Sequence, residues 1–170
     1  MSFLSIRLVT AGLAFSMSSA FAASSPQPGQ PLQHSEVSAA LAMQLVEGAL
    51  AACHAKGRTA VAAVVDRGGN LVALLRDDNV GPHNTVAAQR KAYTALSTKT
   101  ATRLLAERAR NDADSANLNT IDELLLLGGG VPLVADRQVI GAIGVAAAGG
   151  ATMDEYCAMQ AVGQFLPPTN

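Results

Sequence analysis

Two stretches of this chain read as apolar run, polar turn, apolar run, and helical patterns surround them. The first comprises residues 59–65 (TAVAAVV), a turn at Asp66-Arg67-Gly68-Gly69-Asn70, and residues 71–76 (LVALLR). The second comprises residues 131–135, a turn at Asp136-Arg137-Gln138, and residues 139–147. Short apolar runs joined by Gly-, Asn- and Asp-containing turns predict β-hairpins. Their unbroken apolar character predicts strands covered on both faces. Two hairpins set among helices restrict the chain to the α+β class, with a central antiparallel sheet flanked by helices.

The helices follow from periodicity. Residues 35–56 carry Val37, Leu41, Leu45, Ala49, Ala52 and Cys53 on one apolar stripe, with Ser35 as N-cap and Gly57 as the stop. Pro82 suits the first position of a helix running to about residue 97, and a further helix covers about residues 100–110. Residues 111–119 are polar and predict a loop, while residues 121–127 fit either a short strand or a helical turn. Thr152 and Glu155 form a capping box for a last helix, which Pro167 and Pro168 end near Leu166. Met43, Met153 and Met159 fall in helical patterns and read as core.

The N-terminus has a separate logic. Arg7, an apolar run over residues 8–15 and Ala20-Phe21-Ala22 have the order of a secretory signal, with cleavage near Ala22 or Ala23. Residues 1–23 are therefore expected to be a signal peptide, residues 24–34 a flexible Pro/Ser/Gln-rich tether, and residues 35–168 the folded domain. The expected location is periplasmic or secreted. That setting permits a disulfide between the two cysteines, Cys53 and Cys157, but both also fit apolar helix stripes as buried thiols.

A net charge of −1 argues against binding nucleic acid by phosphate neutralisation, and 4% aromatic content argues against base-stacking platforms. Phosphate-loop, dinucleotide, zinc-protease and serine-hydrolase motifs are absent from the sequence. No segment is long and apolar enough to span a bilayer.

Six motifs occur in a telling order: Val64-Val65-Asp66-x-x-Gly69-Asn70-Leu71-Val72; Arg76-x-Asp78; Ala88-x-x-Lys91-Ala92-Tyr93-Thr94-Ala95; Gly129-Gly130-Val131-Pro132-Leu133; Val139-Ile140-Gly141-Ala142-Ile143-Gly144-Val145; and Asp154-Glu155. This series resembles the GlcG/HbpS family of haem-binding proteins, which also covers the carboxy-terminal domain of some corrinoid adenosyltransferases. The resemblance spans about residues 36–166. It implies a profilin-like fold, a homo-oligomer (often an octamer) and binding of haem or a related tetrapyrrole. Many relatives carry Ser-Gly after the Gly-Val of the last strand, where this chain has Ala146-Ala147.

The resemblance raises His83 to the leading iron ligand. It lies at a loop-to-helix junction, where the positive end of the helix dipole favours a neutral imidazole, the form that ligates haem iron. Arg90 and Lys91 are candidate partners for propionates or another carboxylate, although an ordinary salt bridge also fits Lys91. Arg76 is a candidate for an anionic ligand or for an ion pair with Asp66 or Asp78. His34 and His54 read as solvated, and Asp66 and Asp78 as turn caps. The sequence thus predicts an exported, non-catalytic protein that stores, senses or delivers haem or a related tetrapyrrole. The alternative is an accessory protein or enzyme acting on a small organic acid, as in glycolate-type metabolism. No nucleophile-base pair stands out to support turnover.

Overall fold

The computed structural model describes residues 29–166. The chain divides into two units, Met1–Gln33 and His34–Asn170. The expected signal peptide and its cleavage site lie outside the described residues. In the second unit the elements are α1 (Ala39–His54), β1 (Val61–Val65), β2 (Leu71–Arg76), α2 (His83–Thr98), α3 (Thr102–Asn111), a 3-10 turn (Ala116–Thr120), β3 (Gly130–Ala135), β4 (Gln138–Ala146) and α4 (Ala151–Phe165).

The strands form one antiparallel sheet in the order β2-β1-β4-β3. This is the α+β arrangement that the two hairpins predict. Alternation along β1 sorts the core into layers. Ala62 and Val64 face α1 and α4, with Leu45, Val46, Cys53, Cys157 and Ile143 in the same cluster. Val61, Ala63 and Val65 face α2 through Ala88, Ala92 and Ala95. The Cys53–Cys157 disulfide joins α1 to α4, with both residues fully buried, which resolves the open choice between bridge and free thiols.

α2 lies close against the sheet. A Cβ at Gly144 would collide with the carbonyl of Ala88, and one at Gly130 with the carbonyl of Lys91. Alanine on the helix and glycine on the strands bring the two backbones into contact.

Several local expectations are corrected. α1 begins at Ala39, capped by Ser38, whose hydroxyl accepts from the Leu41 N–H at 3.2 Å. The reason is Val37, which is buried and donates its N–H to Ile140 O at 2.9 Å, holding residues 35–38 extended along the sheet. β1 is buried on both faces, but β2 is an edge strand, with Leu71 44% and Leu75 38% exposed. The capping box of α4 does not form. Gly150 occupies the N-cap with no side-chain cap bond, and Thr152 lies inside the helix. Residues 121–127 are irregular, neither strand nor helix. Met43 and Met159 are exposed on the outer surfaces of α1 and α4, because the two helices pack on each other through Ala42, Ala49, Ala158 and Ala161.

Candidate functional site

The outer side of α2 carries two adjoining grooves. The first, of about 320 Å³, is lined by Gly69, Gln89, Arg90, Tyr93, Asp122 and Glu123. Its far wall is the irregular segment after the 3-10 turn, which α2 holds through side chains. Arg90 Nη2 donates to the carbonyls of Asp122 and Leu124, and the Thr94 hydroxyl accepts from the Leu125 N–H at 2.8 Å. Arg90 Nε is buried without a partner among the described residues. The opposite wall is the β1–β2 turn. Gly69 has φ +82°, and a Cβ there would fall 2.7 Å from the Tyr93 ring, so a glycine lets this turn reach the aromatic wall.

That turn is fixed by Asp66, which accepts from the Asn70 N–H at 2.8 Å and from the Asn70 side-chain amide. Burial works to raise the Asp66 carboxyl. The hydrogen bonds from the Asn70 side chain and from the N–H groups of Asn70, Gly68 and Gly69 outweigh it and hold the group below its ordinary value. Asp66 therefore caps the turn, as expected.

The second groove, of about 280 Å³, shares Tyr93 with the first and continues toward the C-terminal end of α2, past Arg67, Leu96, Ser97, Lys99 and Val139.

Of the four residues singled out from the sequence, Arg90 lines the first groove. His83 is the first residue of α2, exposed, with no side-chain hydrogen bond among the described residues. It stands two turns before Arg90 on the same helical stripe, about 10.5 Å along the axis. Arg76 ends β2 opposite Val61, on the α2 side of the sheet, exposed and without an ion pair among the described residues.

Lys91 turns inward. Its ammonium is 2.7 Å from Asp154 Oδ2 and donates to Val145 O at 2.9 Å, and the residue is 1% exposed. Lys91 and Arg90 therefore serve different parts of the molecule, although they are neighbours in sequence. Asp78, expected as a turn cap, is exposed, and it is Asp77 that binds the Ala60 N–H and the His54 imidazole, each at 2.8 Å.

The second groove and its cations were missed in the sequence. Arg67 sits in a turn and Lys99 at a helix end, both ordinary places for a solvated charge, and their meeting depends on the packing of α2 over the sheet.

Comparison with known proteins follows the fold closely. A double mutant of Streptomyces reticuli HbpS is 34% identical, with a TM-score of 0.75 over 85% of this chain and 97% of that one. The PduOC:Heme complex is 25% identical, with a TM-score of 0.69 over 75% of this chain and 94% of that one. Protein GlcG of Escherichia coli is 41% identical over 83 residues, which is 49% of this chain and 60% of that protein. The match to GlcG thus falls short of two thirds of that relative's length. The family described as haem degrading protein HbpS-like matches residues 37–163. With a family match over most of the chain and the same sheet and helix layers in the solved relatives, this chain belongs to the HbpS-like family.

Proposed function

We propose that this chain is an exported protein that binds haem or a related tetrapyrrole and holds it without turnover. One observation carries the reading: an exposed imidazole, His83, opens α2 on the same stripe as Arg90, whose guanidinium walls a groove. The donor set fits the group. His83 would supply a nitrogen ligand to iron. Arg90 Nε, buried without a partner, would meet a propionate. Arg76, without an ion pair among the described residues and on the same side of the sheet, offers a second cation. Lys91 is left out of this site because its ammonium is already engaged by Asp154 and Val145. Haem, when bound, supplies the coordination and redox chemistry, while these side chains bind and orient it. The family description and the haem complex of a relative support haem as the ligand.

The buried disulfide supports export, since such bonds persist in oxidising compartments. The reading includes a homo-oligomer, in keeping with the resemblance, and light scattering tests it. No helix among the described residues is long and apolar enough to cross a membrane.

The test is a hemin titration of the wild type and of His83→Ala and Arg90→Gln. The expected result is a shifted Soret band in the wild type, altered in position by His83→Ala and weakened in affinity by Arg90→Gln. Equal spectra and affinities in all three would remove both residues from the site. No binding by the wild type would overturn the haem reading in favour of a small organic acid. Decay of the bound Soret band under a mild reductant would overturn the non-catalytic part.

A further inference from the structure

The second groove brings two cations together, and among the described residues no carboxylate pairs with either. Arg67 is half-buried in the β1–β2 turn, and its Nη1 donates to Val139 O at 2.8 Å, which fixes the guanidinium against β4. Lys99 follows α2 and lines the same cavity, as does Ser97. Neither Arg67 nor Lys99 forms an ion pair among the described residues. Glu36 is the nearby acid, and it accepts from the Arg67 backbone N–H at 3.1 Å. Asp66, next in sequence, is committed to Asn70. No Asp or Glu lines the cavity itself, in contrast to Asp122 and Glu123 in the first groove.

The backbone sets where Lys99 stands. Lys99 has φ +51° and ψ +31°, the left-handed conformation that closes α2. Glycine and asparagine fill this position at least strain, whereas a lysine adopts it at a cost. This turn sets Lys99 beside the cavity that Arg67 also lines.

We propose that Arg67, Lys99 and Ser97 form a pocket for a small oxyanion, a carboxylate or a phosphate, further along α2 than His83 and Arg90. Arg67 presents planar N–H donors from a fixed position, Lys99 a mobile ammonium, and Ser97 a hydroxyl donor. Together they match the several acceptor oxygens of such an anion. About 280 Å³ admits a short organic acid or inorganic phosphate. Ser97 stands about 21 Å along the helix axis from His83, so an anion held there is distinct from a ligand whose iron His83 would hold. Tyr93 is the shared wall of the two grooves, and an anion in this pocket bears on the same ring that bounds the other.

The experiment is an amide NMR titration of the full chain with glutarate and, separately, inorganic phosphate, against sodium chloride at matched ionic strength. Saturable shifts at Gly68, Ser97 and Lys99 are expected with at least one oxyanion and not with chloride. Lys99→Gly keeps the left-handed backbone and so remains folded, and it should weaken binding about tenfold through loss of one charge-assisted bond. Arg67→Gln should weaken it at least as much. Saturation by glutarate alone assigns carboxylates, and by phosphate alone phosphates. Shifts equal to those with chloride, or affinities unchanged in both variants, overturn the proposal. Hemin takes no part, so failure here and failure of the haem reading are separate results.

Discussion

Lys91 Nζ and Asp154 Oδ2 stand 2.7 Å apart and join helices that lie on opposite faces of the sheet. The contact passes around the sheet end beside Gly129, where a Cβ would meet both the Asp154 side chain and the Lys91 ammonium. The other oxygen of Asp154 accepts from the Ala148 N–H at 2.8 Å, so one carboxylate ties α2, the end of β4 and the start of α4. Lys91→Met leaves a buried, unpaired carboxylate and should cost about 3–5 kcal/mol. Adding Asp154→Asn removes that charge and keeps an acceptor for Ala148, so Lys91→Met/Asp154→Asn should recover part of the loss. Urea unfolding of the three proteins checks this, and a double variant no more stable than the single one would show that the charge is not the source of the cost.

The Cys53–Cys157 bond closes a loop with a sequence separation of 104. A crosslink over that distance restricts the unfolded chain strongly, and Cys53→Ala/Cys157→Ala should lose about 2–5 kcal/mol. Both cysteines are fully buried, so reduction of the folded protein should follow unfolding rather than precede it. Thiol labelling in dithiothreitol at increasing urea measures this. Rapid labelling without urea would contradict it.

Gly69→Ala combines a left-handed φ with a clash against Tyr93. It should lower stability by about 1 kcal/mol or more and displace the Tyr93 ring resonances. An unchanged melting temperature with unmoved ring signals would mean that the turn relaxes freely.

Asp66 has a depressed carboxyl pKa, so its contribution is present above the ordinary carboxylate value and is lost as pH falls through the lower, folded value. Hairpin stability should therefore decline below about pH 4 in the wild type, and less so in Asp66→Asn. Amide exchange at Gly69 and Asn70 across that range gives the comparison. Identical pH profiles in both proteins would dissociate the turn from this carboxylate.

The hairpins, the helix order and Gly57 as a helix stop are legible in the sequence because each depends on local pattern. The positive φ at Gly69 is legible for the same reason. The start of α1 is not, because Val37 is claimed by Ile140, more than a hundred residues away in the chain. The unformed capping box of α4 has a similar cause: the helix already starts at Ala151 behind Gly150, and Glu155, which would have closed the box, is paired with Arg103 of α3. At the site, His83 and Arg90 stand out from residue type and position, while the inward turn of Lys91 rests on a partner 63 residues on. The Arg67–Lys99 cavity has no sequence signal at all except the odd lysine where a helix-closing glycine would be easier.

The contact of α2 with glycine backbone has a consequence for how this surface can vary. A helix seated on side chains can tilt or slide as those side chains change rotamer. Here the carbonyls of Ala88 and Lys91 rest where Gly144 and Gly130 have no side chain to yield, so the axis is held by incompressible backbone. The outward residues of α2, from His83 through Arg90 and Tyr93 to Ser97, can then be exchanged one by one on an unmoving platform, and ligand preference becomes separable from folding.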